Sequence, residues 1–329
     1  MTTSRNRILE LFQQQSDRYL SGEEICRDLG ISRSAVWKQI RQLRQLGYEI
    51  EAVPSKGYAL RSTPDALIPA AISTGLETDI VGRDIICLGR TDSTNTQARM
   101  LAEQGAVEGT VVIADQQSSG KGRMGRFWIS PPAVNLYLSV VLKPVVPLRY
   151  ATQLTFLTAV AVAEAIEESG DFSPQLKWPN DVLLGGKKVA GLLNELNAET
   201  EQIHFLVLGI GVNLNMPAEQ FPADLRSPAT SLLVERGEPV SRLSFTRTLL
   251  RRIDRLYALY MEKGFSPILS AWEKRCHMVG RRVEVDYQDY RLTGRVSGLD
   301  EVGALLLELP GGKTERVLAG DVRLLAEEE

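Results

Sequence analysis

Residues 115–128, from Asp115 to Trp128, read D-Q-Q-S-S-G-K-G-R-M-G-R-F-W. They follow an apolar, β-branched run at 110–114 that has the pattern of a buried strand. Three glycines, Gly120, Gly122 and Gly125, alternate with three cations, Lys121, Arg123 and Arg126. Glycine tolerates positive φ and lets a ligand approach the backbone, and the cations would add charge-assisted donors around that ligand. The loop therefore suits an anion gripped on several sides, a phosphate or a carboxylate. The spacing Gly120-x-Gly122-x-x-Gly125 also fits a dinucleotide loop, which needs a helix at the glycines and an acidic residue about 20 positions later. Here Ser130-Pro131-Pro132 stops such a helix, and no Asp or Glu lies between Asp115 and Glu164. The nicotinamide and flavin readings fail on both counts.

Working outward, residues 84–89 read as a strand, and Asp92-Ser93-Thr94-Asn95 opens a helix that runs to about Gln104. Ser93, Thr94 and Asn95 are capping types that also point polar groups at whatever sits beyond the strand end. Downstream come a strand at 135–142 and an apolar helix at 151–168. Lys177-Trp178-Pro179-Asn180-Asp181 is a turn signal, and Gly185-Gly186 predicts a hairpin whose return strand starts near Lys188. Lys188 is an ordinary edge lysine unless that strand passes beside the glycine loop. Another apolar strand at 204–211 ends in Gly211-Val212-Asn213.

The chain has 329 residues, enough for two or three domains. Three distant cysteines argue against a disulfide framework, and with no signal-peptide pattern and no membrane-length apolar run the expectation is a cytoplasmic protein. Only His204 and His277 are present, too few for a His-rich metal site or a Ser-His-Asp centre. Catalysis is expected to rest on positioning and electrostatics. Residues 1–61 hold ten Lys/Arg against seven Asp/Glu, within a whole chain of net charge -3, so basic charge favours nucleic acid only there.

In that basic segment Ile8, Leu9, Leu11 and Phe12 mark a first helix. Ser21 and Glu24 form a capping box for a second helix that Gly30 ends, and Ser32 caps a third that Gly47 ends. Ser32, Arg33, Ser34, Lys38, Arg41 and Arg44 lie on the outer side of the third helix, as a major-groove helix requires. A hairpin with Lys56 at its tip follows, so the expectation is a winged helix-turn-helix over 1–63 that binds DNA, with a linker near Thr63 and Pro64. At the other end, helices at 242–263 and 266–274 precede four short strands at 283–287, 291–297, 304–309 and 315–318. The expectation for 274–329 is a small antiparallel β-barrel.

Ser93-Thr94-Asn95, the glycine loop, K-W-P-N-D, G-K-K-V-A-G and G-V-N, in that order, resemble the catalytic domain of biotin–protein ligases. With the N-terminal winged helix the chain is similar to the bifunctional bacterial form, which is both ligase and biotin-operon repressor. The resemblance implies an α+β multidomain protein: the winged helix, a mixed α/β ligase domain over 66–273 related to class II synthetases, and an SH3-like C-terminal β-barrel. It implies ATP, biotin and Mg²⁺, with biotin joined through an acyl adenylate to a lysine of a biotin carboxyl carrier protein. Operator DNA and a ligand-promoted homodimer would follow, with no membrane partner. Arg123 and Lys188 would be catalytic, on the α-phosphate and carboxylate oxygens. Biotin would meet Ser93, Thr94, Asn95, Gln117, Lys121, Gly122, Arg123, Lys188 and Gly191. The nucleotide would meet Gly120, Arg123, Arg126, Trp128 as adenine platform, Asn180, Asp181 and Asn213. For Asp181, metal binding and orientation of the incoming lysine both stay open. Lys121 departs from the family, which carries Arg there, and so lacks a planar two-pronged donor. A repressor without ligase chemistry and a lipoate-type ligase are the alternatives.

Overall fold

The computed structural model describes residues 4–14, 18–45, 48–54, 56–62, 65–199, 202–225, 227–287 and 290–325. Gly47, Thr63 and Pro64, expected as a helix end and a linker, lie outside these residues. The described chain divides into two compact units, Met1–Glu77 and Thr78–Glu329.

In the first unit, α1 (Ser4–Gln14), α2 (Gly22–Leu29) and α3 (Arg33–Gln45) precede an antiparallel hairpin of β1 (Glu49–Val53) and β2 (Gly57–Ser62), and α4 (Pro69–Ser73) follows. The predicted capping box closes both ways: Glu24 N donates to Ser21 Oγ at 3.1 Å, and Ser21 N to Glu24 Oε2 at 2.8 Å. Ile8, Leu9 and Phe12 of α1 are buried with Ile25 of α2 and Val36, Ile40 and Leu43 of α3. One apolar side of each helix thus builds the core of the unit.

The second unit is a mixed sheet with helices packed on it. Its strands are β3 (Asp84–Thr91), β4 (Thr110–Gln117), β5 (Leu136–Leu142), β6 (Gln175–Lys177), β7 (Asp181–Leu184), β8 (Lys187–Glu199) and β9 (Gln202–Val212), in the spatial order β3-β4-β5-β9-β8-β7-β6. Among the described residues only β3 and β4 pair as parallel strands in this sheet, and α5 (Thr94–Glu103) makes the crossover that parallel neighbours need. Ala98 and Ala102 of α5 pack on Val112, Val141, Phe205 and Val207 of the sheet. α6 (Gln153–Glu168) is buried along nearly its whole length, as its unbroken apolar sequence demands, and contacts α8 (Arg242–Lys263) and α9 (Ser266–Glu273). Short α7 (Leu232–Arg236) comes between the sheet and α8. Among the described residues no helix is long and apolar enough to cross a membrane.

At the C-terminus the expected barrel gives way to an open sheet. Its strands are β10 (Arg282–Tyr287), β11 (Tyr290–Leu299), β12 (Leu305–Glu308), β13 (Thr314–Val317) and β14 (Asp321–Leu324), in the order β13-β12-β11-β10-β14. The fifth strand, β14, is absent from the sequence expectation. It pairs with the free side of β10, Val283 opposite Leu324, which leaves β13 and β14 as opposite edges with no pairing between them among the described residues. The turn before β12 is tied to the rest of the unit: Trp178 Nε1 donates to Gly303 O at 3.1 Å, and Gln153 Nε2 to Glu301 O at 2.7 Å.

Candidate functional site

Sheet alternation makes the cleft. Along β9, Phe205 and Val207 fill the space beneath α5. The next two residues on that face are Gly209 and Gly211, at and beyond the N-terminal end of α5, and they have no side chains to fill it. A Cβ on Gly209 would lie 2.2 Å from Asn95 Oδ1, and one on Gly211 would lie 2.5 Å from the Trp128 indole. The resulting cavity holds about 690 Å³.

One end of this cavity is neutral and internally hydrogen-bonded. Thr94 N donates to Gln117 Oε1 at 2.8 Å, and Gln117 Nε2 donates to Ser130 Oγ at 2.9 Å. Ser139 Oγ lies 2.8 Å from Thr94 Oγ1 and 2.7 Å from Asn95 Oδ1, while Asn95 Nδ2 donates to Leu193 O at 3.1 Å. Ser93 is the N-cap residue of α5, yet its side chain makes no capping bond and lines the cavity instead. Apolar Leu192, Leu193 and Ile210 complete the lining.

The other end is cationic. Arg123 Nη1 donates to Asn180 Oδ1 at 3.2 Å, and Lys188 Nζ lies 2.6 Å from Asp181 Oδ1. Two cations 65 positions apart in sequence thus converge on adjacent residues of the K-W-P-N-D turn. Burial holds the Arg123 guanidinium below its ordinary pKa, with Asp321 and Asp181 pulling the other way. Lys188 Nζ also sits 5.5 Å from the centre of the Trp128 ring, whose buried Nε1 has no hydrogen-bond partner among the described residues. Arg126 pairs with Asp321 of β14, and that hydrogen bond raises its pKa.

The glycine loop is folded on itself. Gly122 N donates to Arg126 O at 2.7 Å and Trp128 N to Gly120 O at 2.8 Å, closing a short turn at Arg123–Gly125. Positive φ falls on Gly125 and on Met124, at 73° and 55°. Gly120 is glycine for another reason: a Cβ there would sit 2.4 Å from Trp128 O.

Of the residues singled out from the sequence for ligand binding, Ser93, Thr94, Asn95, Gln117, Lys121, Gly122, Arg123, Arg126, Trp128, Asn180, Asp181, Lys188, Gly191 and Asn213 all line this one cavity. Gly120 stands behind it, against Trp128. Lys121 points to Glu195, 3.7 Å away, and the Asn213 amide is engaged by Asn135 and Thr230 O. Sequence reasoning missed Ser139, Ser130, Gly209 and Asp321. A lone serine inside the buried run L-Y-L-S-V-V-L and a Gly-x-Gly in a strand were readable signals. Asp321 had none.

In the first unit Arg33, Lys38 and Arg41 are exposed on α3 beside Ser32 and Ser34, and Ser32 Oγ caps the helix by accepting from Ala35 N at 3.3 Å. Arg33 pairs with Glu23, and Arg44 donates to Ile50 O at 2.9 and 2.6 Å, which ties α3 to the hairpin. At the hairpin, Lys56 Nζ and the Arg61 guanidinium lie 5.7 and 5.1 Å from the Tyr19 ring.

Residues 88–213 match the biotin/lipoate A/B protein ligase family, residues 4–59 an HTH domain, and residues 279–325 the biotin protein ligase C-terminal domain. The chain is 39% identical over 323 residues to the bifunctional ligase/repressor BirA of Bacillus subtilis, covering 98% of this chain and 99% of that one. It is 34% identical over 292 residues to the Escherichia coli protein of the same description, covering 88% of each. Among solved structures it is similar to the biotin protein ligase from Aquifex aeolicus in complex with biotin and ATP, at a TM-score of 0.64 and 32% identity, over 74% of this chain and all of that one.

Proposed function

This chain belongs to the bifunctional biotin ligase/repressor family, and we propose on that premise that Lys188 and Arg123 are the charge-bearing groups of its ligase reaction. The protein is an ATP-dependent biotin–protein ligase that forms biotinyl-AMP, and a biotin-responsive transcriptional repressor. In the first step the biotin carboxylate attacks the α-phosphorus of ATP and pyrophosphate leaves. In the second an acceptor lysine attacks the acyl carbon and AMP leaves. Both steps bring negative oxygens together, so the protein must neutralise charge that builds up during reaction.

The single observation that carries the assignment is the meeting of Arg123 and Lys188 at Asn180 and Asp181 on the wall of one cavity. Asn180 and Asp181 occupy the two cations without substrate and release them to the substrate oxygens. Thr94, Asn95 and Gln117 place polar groups at the neutral end, where the ureido ring of biotin fits, with its chain along Leu192, Leu193 and Ile210. Trp128, beside Lys188, offers a flat face to adenine and a free indole N–H. Among the described residues no three His, Cys, Asp or Glu side chains cluster to hold a metal. Mg²⁺ would enter on the triphosphate and neutralise phosphate charge there. The acceptor is a lysine of a biotin carboxyl carrier protein, and the DNA target is an operator bound by a ligand-promoted dimer.

Biotin-dependent exchange between ATP and pyrophosphate tests the chemistry. Wild-type protein should catalyse it, and Lys188→Ala and Arg123→Ala should remove it while biotin still binds. Exchange driven by lipoate and not by biotin would replace the substrate assignment. Full exchange in both variants would end the roles given to the two cations.

A further inference from the structure

Helix α3 carries an exposed tryptophan that neither the core nor the ligase explains. Trp37 is 57% exposed, whereas Val36, Ile40 and Leu43 of the same helix are buried. Its neighbours on the open side are Arg33 and Ser34 one turn before, Lys38 beside it and Arg41 one turn after, so Trp37 stands at the centre of that face. The Arg41 guanidinium carbon lies 5.5 Å from the centre of the indole ring, a cation–π contact between positions i and i+4. No acidic residue occurs anywhere in α3. With Arg33 tied to Glu23 of α2, an apolar surface flanked by Lys38 and Arg41 fits a polyanion that also presents an apolar group.

Duplex DNA has that combination at one point. In the major groove the base edges are polar apart from the C5-methyl of thymine, while guanine O6 and N7 accept the two-pronged donor of arginine. An indole packed against the guanidinium restricts its rotamers, so the fork is presented already oriented. We propose that Trp37 and Arg41 form a base-reading pair, with Trp37 against a thymine methyl and Arg41 on an adjacent guanine. The pair deepens the operator-binding reading above and rests on it. Phosphate contacts from Lys38 and Lys56 would position the helix, and the Trp37–Arg41 pair would supply sequence discrimination.

The test uses the full-length protein with biotin and ATP to select duplexes from a random library. The preferred duplex is then remade with each thymine replaced in turn by deoxyuridine, which removes only the methyl. Wild-type binding should weaken about three- to tenfold at one or two of these positions, next to a guanine. Trp37→Ala should bind the unmodified duplex about tenfold more weakly and ignore the same replacements. Trp37→Phe, which keeps an apolar ring, should retain the response, and ligase turnover should be unchanged in both variants. If Trp37→Ala fails to fold, the thymine scan on wild-type protein decides alone. A silent scan overturns the pair, as does a Trp37→Ala protein that binds like wild type. A scan that affects wild type and Trp37→Ala alike also overturns it, and so does a silent scan with altered sedimentation of Trp37→Ala, which would make the indole a protein contact. Selection of no sequence by wild-type protein would sink operator binding itself, and the pair with it.

Discussion

The two ends of the cleft treat polar groups in opposite ways. At the neutral end Thr94, Asn95, Gln117, Ser130 and Ser139 satisfy one another within the protein, and the lack of a side chain at Gly209 makes room for Asn95. At the cationic end Lys188, Arg123 and Arg126 are held by Asp181, Asn180 and Asp321. A satisfied buried network is rigid, because breaking any member leaves a polar group unpaired. A cation balanced by a partly exposed carboxylate can exchange that partner for a phosphate at modest cost. On the proposed function, the first end would serve recognition and the second exchange during reaction.

The largest expected effect separates the two roles. Lys188→Ala should lower the rate of biotin-dependent pyrophosphate exchange by about 10³-fold, the scale for removing a group that stabilises developing charge. Calorimetry should find biotin affinity within about tenfold of wild type, since the neutral end is intact. Equal losses in rate and affinity would break the distinction between the ends.

Gly209→Ala probes the rigid end. Its new Cβ would press into Asn95 Oδ1, so the protein should lose about 1–3 kcal/mol in urea unfolding. Biotin affinity should fall with it, while the nucleotide KM stays near wild type. An unchanged unfolding midpoint would show that the neutral end is softer than its hydrogen bonds suggest.

Asp321→Asn probes the exchangeable end. Arg126 and Asp321 are both partly exposed, so their pairing contributes less than about 1 kcal/mol to stability. The effect should shrink further in high salt. The nucleotide KM is expected to shift a few-fold while biotin binding is unaffected. A large loss of stability would mean that β14 needs this ion pair to dock.

The smallest effect lies outside the cleft, neither end of which contains a histidine. Burial, with Arg281 and Lys177 nearby, lowers the pKa of His277 below the ordinary value of 6.5. Above that value the residue is neutral in both folded and unfolded chains and contributes nothing to pH dependence. As pH falls through it, the unfolded chain takes up the proton first and stability drops. Urea midpoints at pH 7.5 and 5.5 should therefore differ less in His277→Gln than in wild type. An unchanged slope would place the titration elsewhere.

Much of the cleft was legible because its chemistry lies in short motifs. Glycines alternating with cations point to an anion from residue type and spacing alone, whereas K-W-P-N-D and the lysine after Gly185-Gly186 read only as a turn and a hairpin until the family resemblance gave them roles. The exact duties of the glycines were less legible. Gly120 is required by the nearby carbonyl of Trp128, and that contact exists only once the loop has folded back. The same limit explains the C-terminal sheet. Four strands at 283–318 carry alternating apolar residues, but the expectation stopped at Leu318, and the place of β14 beside β10 is set by a pairing across some 40 positions.

By itself the sequence determined most of the elements and caps, the winged helix at one end, and which residue types can neutralise anions. Those depend on hydrogen bonds and side-chain periodicity within a few residues, where every interacting group is written next to its partner. Tertiary structure alone decided which carboxylate holds which cation, that Asp321 reaches Arg126 across 195 positions, and that two empty glycine positions on β9 become the floor of a cavity. Such pairings depend on register and docking between distant segments, and no local pattern encodes the distance between two atoms until the chain between them has folded.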